Sequence, residues 1–509
     1  MQDVVINYLK NIFVYSEQSP LIFTRLYFWI FFAIVLTFYS FLSKASKTRS
    51  AYLFIISLFF YYKSSGLFLL ILIFSTLVDF TIGKNIYHSQ KPLKRKLLLA
   101  LSVVVNLSVL FYFKYAYFFT SNYNSLFHTD YKVFNHFAYW ANSFTGSHFE
   151  VGKILLPVGI SFFTFQTISY SVDIYRKKVL PVKSIVDFGF YVSFFPQLVA
   201  GPIVRAADFI PQIYKDFKLS RKEFGYAIYI ILSGLTKKLF IADYIAVNFV
   251  DRVFKNPYVY SGFENLMATF GYSLQIYCDF SGYTDIAIGV ALLMGYRLNK
   301  NFDSPYKARS VADFWRRWHI SLSTWLKDYL YIPLGGNKKG KLRTNINLLV
   351  TMLLGGFWHG ASWQFVIWGA LNGVGLLVYK SWRKISPWEK SNHALVVVWK
   401  IAITFSFITF TRIWFRSESM DTVNAMFYQI GNNFKVDLIP QVLSSYYLIF
   451  LMMLFGYVLH WLPYAFKDRV REAFIASPHY IKVIVTVVVV FVIFQSLSSE
   501  LQPFVYFQF

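Results

Sequence analysis

Leu21-Ile-Phe-Thr-Arg-Leu-Tyr-Phe-Trp-Ile-Phe-Phe-Ala-Ile-Val-Leu-Thr-Phe-Tyr-Ser-Phe-Leu42 contains a single charged residue and is followed closely by Lys44, Lys47 and Arg49. A hydrocarbon core about 30 Å thick needs roughly 20 helical residues, so this stretch reads as a retained membrane span rather than a signal peptide. Its basic flank follows it, which places the N-terminus outside. Similar runs recur at Leu67–Ile82, Leu98–Phe119, Ile154–Tyr175, Leu395–Phe415, Tyr446–Leu462 and Ile481–Leu497. Of the 509 residues, 56% are hydrophobic, 21% aromatic and 15% charged. Soluble domains carry roughly 25% charge, so the solvent implied here is lipid. The expectation is an all-α polytopic integral membrane protein with roughly 10–12 crossings plus re-entrant segments.

A net charge of +25 could suggest nucleic acid, but its placement excludes that reading. The basic residues gather in short loops, at Lys91/Lys94/Arg95/Lys96, Arg176/Lys177/Lys178, Lys338/Lys339/Lys341/Arg343 and Lys467/Arg469/Arg471. Such clusters report the cytoplasmic side and can attract anionic lipid head groups. Alternating these loops gives a hairpin turning near Ser64–Gly66, an external loop at 120–150, and a tail Ser498–Phe509 outside. Phe188–Ile203 is apolar but interrupted by Pro196 and Ala200-Gly201-Pro202, and reads as a broken or re-entrant segment. One membrane domain is expected over 1–509, with N-terminal spans in 1–150, a catalytic core in 151–380, and C-terminal spans and tail in 381–509. Cys278 is the single cysteine, so neither an internal disulfide nor a cysteine metal cluster can form.

Two histidines follow tryptophans within this apolar chain. In Phe314-Trp-Arg-Arg-Trp-His319, Ser310 and Asp313 have capping spacing, so a helix begins there. Trp315, Trp318, Leu322 and Trp325 then form one apolar stripe, with His319 on its edge and Asp313 and Arg317 paired on its flank. A helix anchored at the membrane surface fits the same pattern. In Gly355-Gly-Phe-Trp358-His359-Gly360, glycines surrounding a histidine permit close packing. An imidazole there could take a proton from an attacking hydroxyl or simply bond a neighbouring helix. Asp279 and Asp285 place carboxylates in an otherwise apolar helix, where they could orient a histidine or serve polar packing. No metal-site motif is present; zinc between His319, His359 and a carboxylate is a minor alternative. A transporter using the histidines as a proton relay is another.

Six segments, in order, resemble the membrane-bound O-acyltransferase superfamily, in its bacterial branch of alginate and peptidoglycan O-acetylation proteins. They are Leu156-Pro-Val-Gly-Ile-Ser-Phe-Phe-Thr-Phe-Gln166, Phe195-Pro-Gln-Leu-Val-Ala-Gly-Pro-Ile203, Asp279-Phe-Ser-Gly-Tyr-Thr-Asp285, Phe314–His319, Tyr329-Leu-Tyr-Ile-Pro-Leu-Gly-Gly-Asn337 and Gly355–Gly360. The resemblance implies a ring of tilted helices around a transmembrane tunnel. It makes His359 the catalytic histidine and His319 the second motif histidine, with Trp315, Arg317, Trp358, Asp279, Asp285 and Gln166 in the tunnel or polar core. It implies acetyl-CoA as donor, no metal, an inner-membrane location and a periplasmic SGNH-type partner that modifies a polysaccharide. D-Alanine transfer to teichoic acid is the rival within the family. The ending Pro503-Phe-Val-Tyr506-Phe-Gln-Phe509 is similar to a tail whose tyrosine is proposed to carry the acyl group. On that likeness Tyr506 is an acyl relay; an aromatic anchor in the interface is the other reading.

Overall fold

A computed structural model describes residues 13–16, 20–42, 46–146, 150–198 and 201–496, so Tyr506 lies outside the described residues. Every regular element among them is helical. Five helices are long and apolar enough to cross a membrane: 47–88, 92–127, 262–293, 394–416 and 479–496. A sixth candidate is the pair Val436–Ser445 and Tyr447–Trp461, bent by 84°. The remaining expected crossings fall on shorter or less apolar helices, such as Leu26–Phe41, which starts one residue after Arg25. This is a multi-pass membrane protein.

The chain divides into two compact units, residues 1–199, 205–216 and 360–362 in one, and 200–204, 217–359 and 363–509 in the other. In the first, Phe28, Phe60 and Phe195 pack edge-on and tilted into an aromatic core. Asp79 is fully buried and accepts hydrogen bonds from Ser102 (2.5 Å), Asn106 (2.7 Å) and Ser171 (3.0 Å), which ties three helices together in an apolar setting. The interrupted segment near Pro196 forms two short helices, Ile185–Ser193 and Phe195–Leu198. The expected loop 120–150 is more regular than its polar composition implied. Helix runs on to Phe127, and a further helix, His136–Thr145, begins where the Asn135 side chain accepts from the Ala138 amide.

The second unit is built on Gly262–Leu293, a 32-residue helix buried along almost its whole length. Ser261 and Glu264 form its capping box. Asn265, Ser273, Gln275, Asp279 and Thr284 are buried along it and lower its hydropathy, so the sequence did not stand out as a span. Cys278 is buried on the same helix. The neighbouring helix Arg221–Leu235 lies backbone to backbone against it. A Cβ at Gly234 would sit 2.5 Å from the Gly282 carbonyl oxygen. The same device joins Gly340–His359 to Trp363–Ile385, where a Cβ at Gly356 would fall 2.4 Å from the Phe365 carbonyl oxygen and one at Gly369 2.5 Å from that of Met352.

Candidate active site

Ser310 caps the helix Val311–Arg317 by accepting from the Asp313 amide (3.1 Å), and Arg317 pairs with Asp313 at 3.1 Å, both as the spacing predicts. The continuous stripe expected beyond that point does not form. Trp318 is extended, His319 takes a left-handed conformation (φ 44°, ψ 55°), and a second helix starts at Ile320. Periodicity alone could not reveal the break, because the residues that stabilise it lie upstream. The Asp303 amide donates to the Arg317 carbonyl (2.9 Å), and the Ile320 amide donates to the Asn301 carbonyl (2.9 Å). The chain at 301–303 thus satisfies backbone groups that the helix leaves open. Histidine tolerates left-handed geometry better than most side chains.

The turn also fixes the His319 ring. Asn301 Oδ1 accepts from the Ser321 amide (3.1 Å) and hydroxyl (2.9 Å), and lies 3.2 Å from His319 Nδ1. A backbone amide can only donate, so the Asn301 atom facing it is the oxygen. Nδ1 therefore carries the ring proton, and Nε2 carries the lone pair. His319 is fully buried, and its ring meets Phe280 edge-on at 4.7 Å.

His359 is the last residue of Gly340–His359, and its ring centroid lies 6.4 Å from that of His319. Trp368 (5.2 Å) and Phe415 (5.3 Å) pack around it. It lines a cleft of about 290 Å³, together with Trp315, Leu322, Leu326, Lys327, Tyr331, Thr351 and Gly355. The lining runs from Leu348 to His359, about 16 Å of helix at 1.5 Å rise per residue. The result is a mostly apolar cleft with an imidazole in its lining.

The remaining sequence-derived residues separate clearly. Trp315 lines the cleft and packs on Trp368 (5.7 Å), and Trp358 faces His319 (6.2 Å). Arg317 turns towards Asp313 and the Asp303 carbonyl. Asp279 is tied to Lys238 (2.5 Å), which also holds Asp243, and Asp285 is tied to Lys237 (2.5 Å). These carboxylates therefore serve as counter-ions. Gln166 is buried in the first unit, on Ile160–Tyr175. Among the described residues, no group of three His, Cys, Asp or Glu side chains comes together.

Two participants were missed by sequence reasoning. Asn301 gives no sequence signal, being distant in the chain and outside any helix. Arg412 does give one, as a cation inside an apolar span. It is buried, with its guanidinium carbon 4.3 Å from the Trp318 ring and 5.5 Å from the Phe415 ring. Its Nε and Nη2 have no hydrogen-bond partner among the described residues. A desolvated cation–π contact contributes about 2 kcal/mol, whereas burying an ion costs several, so the rings alone do not offset this charge.

Residues 96–417 match the family model described as MBOAT, membrane-bound O-acyltransferase family. The chain is 36% identical over 393 residues to a peptidoglycan O-acetyltransferase of Helicobacter pylori, covering 72% of this chain and 70% of that one. It is 37% identical over 409 residues to a protein of Pseudomonas putida named "Probable alginate O-acetylase AlgI", covering 79% of each. A teichoic acid D-alanyltransferase of Bacillus subtilis is 31% identical over 282 residues, covering 52% of this chain and 69% of that one. With paired histidines, an apolar cleft and these relatives, the chain is a member of the membrane-bound O-acyltransferase family, an acyltransferase enzyme embedded in the membrane.

Proposed function

We propose that this enzyme moves acetyl groups from a cytoplasmic thioester donor, acetyl-CoA, across the bacterial inner membrane for O-acetylation of an exported or cell-wall polysaccharide. The observation that carries the reading is the convergence of His319 and His359, with His359 alone of the two lining the cleft. The relatives' names supply the polymer class, peptidoglycan or an alginate-like glycan. A thioester on a flexible arm would lie along the groove with its acyl carbon at His359. The acceptor oxygen attacks that carbon while His359 takes its proton, and collapse breaks the carbon–sulfur bond and returns the proton to sulfur. His319 orients this pair. Thioester and oxygen ester are close in energy, so positioning and proton transfer account for much of the rate.

In this proposal both termini are external, and Tyr506 is the first acceptor, handing acetyl to a periplasmic SGNH-type partner. The test is intact and peptide mass spectrometry after incubation with acetyl-CoA, beside His359→Ala. An acetyl group on Tyr506 in the wild type only is the expected result. No adduct, and no coenzyme A release even with an external acceptor protein, would count against acetyl-CoA. The D-alanyltransferase relative supports one alternative, D-alanyl transfer from a carrier protein, which the same experiment tests by changing the donor.

A further inference from the structure

We propose that Arg412 is the oxyanion-stabilising residue of acyl transfer, an inference that rests on the acyltransferase reading above. Its guanidinium packs on Trp318, the residue before His319, and on Phe415, whose ring lies 5.3 Å from that of His359. It therefore sits between the ring that packs on His359 and the residue that precedes His319 in the chain. Other buried or half-buried cations of the same unit have acidic partners: Arg416 holds Asp251 at 2.8 Å, and Lys238 holds both Asp279 and Asp243. Arg412 forms no ion pair among the described residues, and its Nε and Nη2 are buried without a partner.

The site has a specific need for such a charge. His359 is the final residue of a 20-residue helix, so the open carbonyls and the negative end of the helix dipole lie at the reacting position. That field opposes an oxyanion forming there, and a fixed cation offsets it. In the step, the acceptor oxygen bonds to the acyl carbon, its proton passes to His359, and the carbonyl electron pair moves onto oxygen. Collapse restores the carbonyl and expels sulfur, which leaves as the thiol with the proton from His359. Arg412 donates hydrogen bonds to the transient oxyanion and remains cationic throughout. Donors preorganised towards developing charge in a water-poor site act on kcat more than on binding.

The experiment uses the full chain in lipid nanodiscs with acetyl-CoA, comparing Arg412→Met, Arg412→Ala, Arg412→Lys and His359→Ala. The expected result is a fall of about 10²–10³-fold in kcat for Arg412→Met with KM little changed. Arg412→Lys should retain part of the rate, and added methylguanidinium should restore Arg412→Ala but not His359→Ala. Folded Arg412→Met turning over at the wild-type rate would overturn the proposal. If Arg412→Met does not fold, folded Arg412→Lys that is wholly inactive overturns it, and methylguanidinium rescue of Arg412→Ala sustains it. An inactive His359→Ala beside a fully active Arg412→Met removes this inference alone. A fully active His359→Ala removes the acyltransferase reading of the site and this inference with it.

Discussion

Nδ1 of His319 lies 3.2 Å from Oδ1 of Asn301, whose orientation is fixed by the Ser321 amide. Asn301 thus decides which nitrogen of the histidine holds the proton. Asn301→Ala should lower kcat about tenfold, the loss of one orienting hydrogen bond, with KM for the donor nearly unchanged. Steady-state kinetics on purified variants checks this. An unchanged kcat would mean that the ring is held by its aromatic neighbours alone.

His359→Gln should reduce transfer by about 10²–10⁴-fold, the range for losing a general base. Glutamine fills similar space, so the thermal midpoint should stay close to wild type. Differential scanning in detergent together with a coenzyme A release assay separates lost chemistry from lost folding.

Gly356→Ala tests the scaffold. The added methyl meets the Phe365 carbonyl oxygen and the Gly369 backbone, neither of which can rotate away. Overpacking of this kind costs about 1–3 kcal/mol and would displace His359, three residues on. A lower melting temperature with reduced activity is expected. A stable, active variant would show that the two helices can slide apart freely.

Thr351→Phe should obstruct the cleft one turn along the helix from Leu348. If the groove holds the thioester arm, KM for the donor rises at least tenfold while the fold persists. Kinetics with acetyl-CoA as the varied substrate reads this directly, and an unaltered KM would assign the arm another route.

Lys467, on the surface helix Tyr464–Ala476, has its pKa pushed down to about 8 by burial and by repulsion from Lys307, Lys237 and Lys300. Its ordinary value is 10.5, so between about pH 8 and 10.5 the unfolded chain holds the extra proton and stability rises with pH. The same depression makes Lys467 the expected first site of amine labelling at pH 8, measurable by peptide mass spectrometry. In the acetylation assay it supplies an internal control, because adventitious acetylation there should persist in His359→Ala.

Much of the architecture was legible because lipid imposes a simple rule on sequence. The span Leu395–Phe415 and the helix Ala394–Arg416 differ by one residue at each end. Ser310 and the Asp313–Arg317 pair were equally local, and the structure contains both. What escaped detection depends on distant partners. The break at His319 is held by residues 301–303, and the central helix hides its apolar character beneath Asn265, Ser273 and Gln275. Asp279 looked like a candidate to orient a histidine because its counter-ion, Lys238, lies 41 positions away, on a different helix. Arg412 was visible throughout, but only its lack of a carboxylate partner among the described residues distinguishes it from an ordinary flanking charge.

Cys278, the single thiol, is buried in the central helix. The native chain is therefore a natural blank for membrane-impermeant maleimides. A lone reporter cysteine at Lys327, at Lys467 or beside Tyr506 would acquire a label only from the face on which it lies. One set of such substitutions, probed in intact cells and in inverted vesicles, would map which compartment each part of the machinery sees without first removing the endogenous thiol.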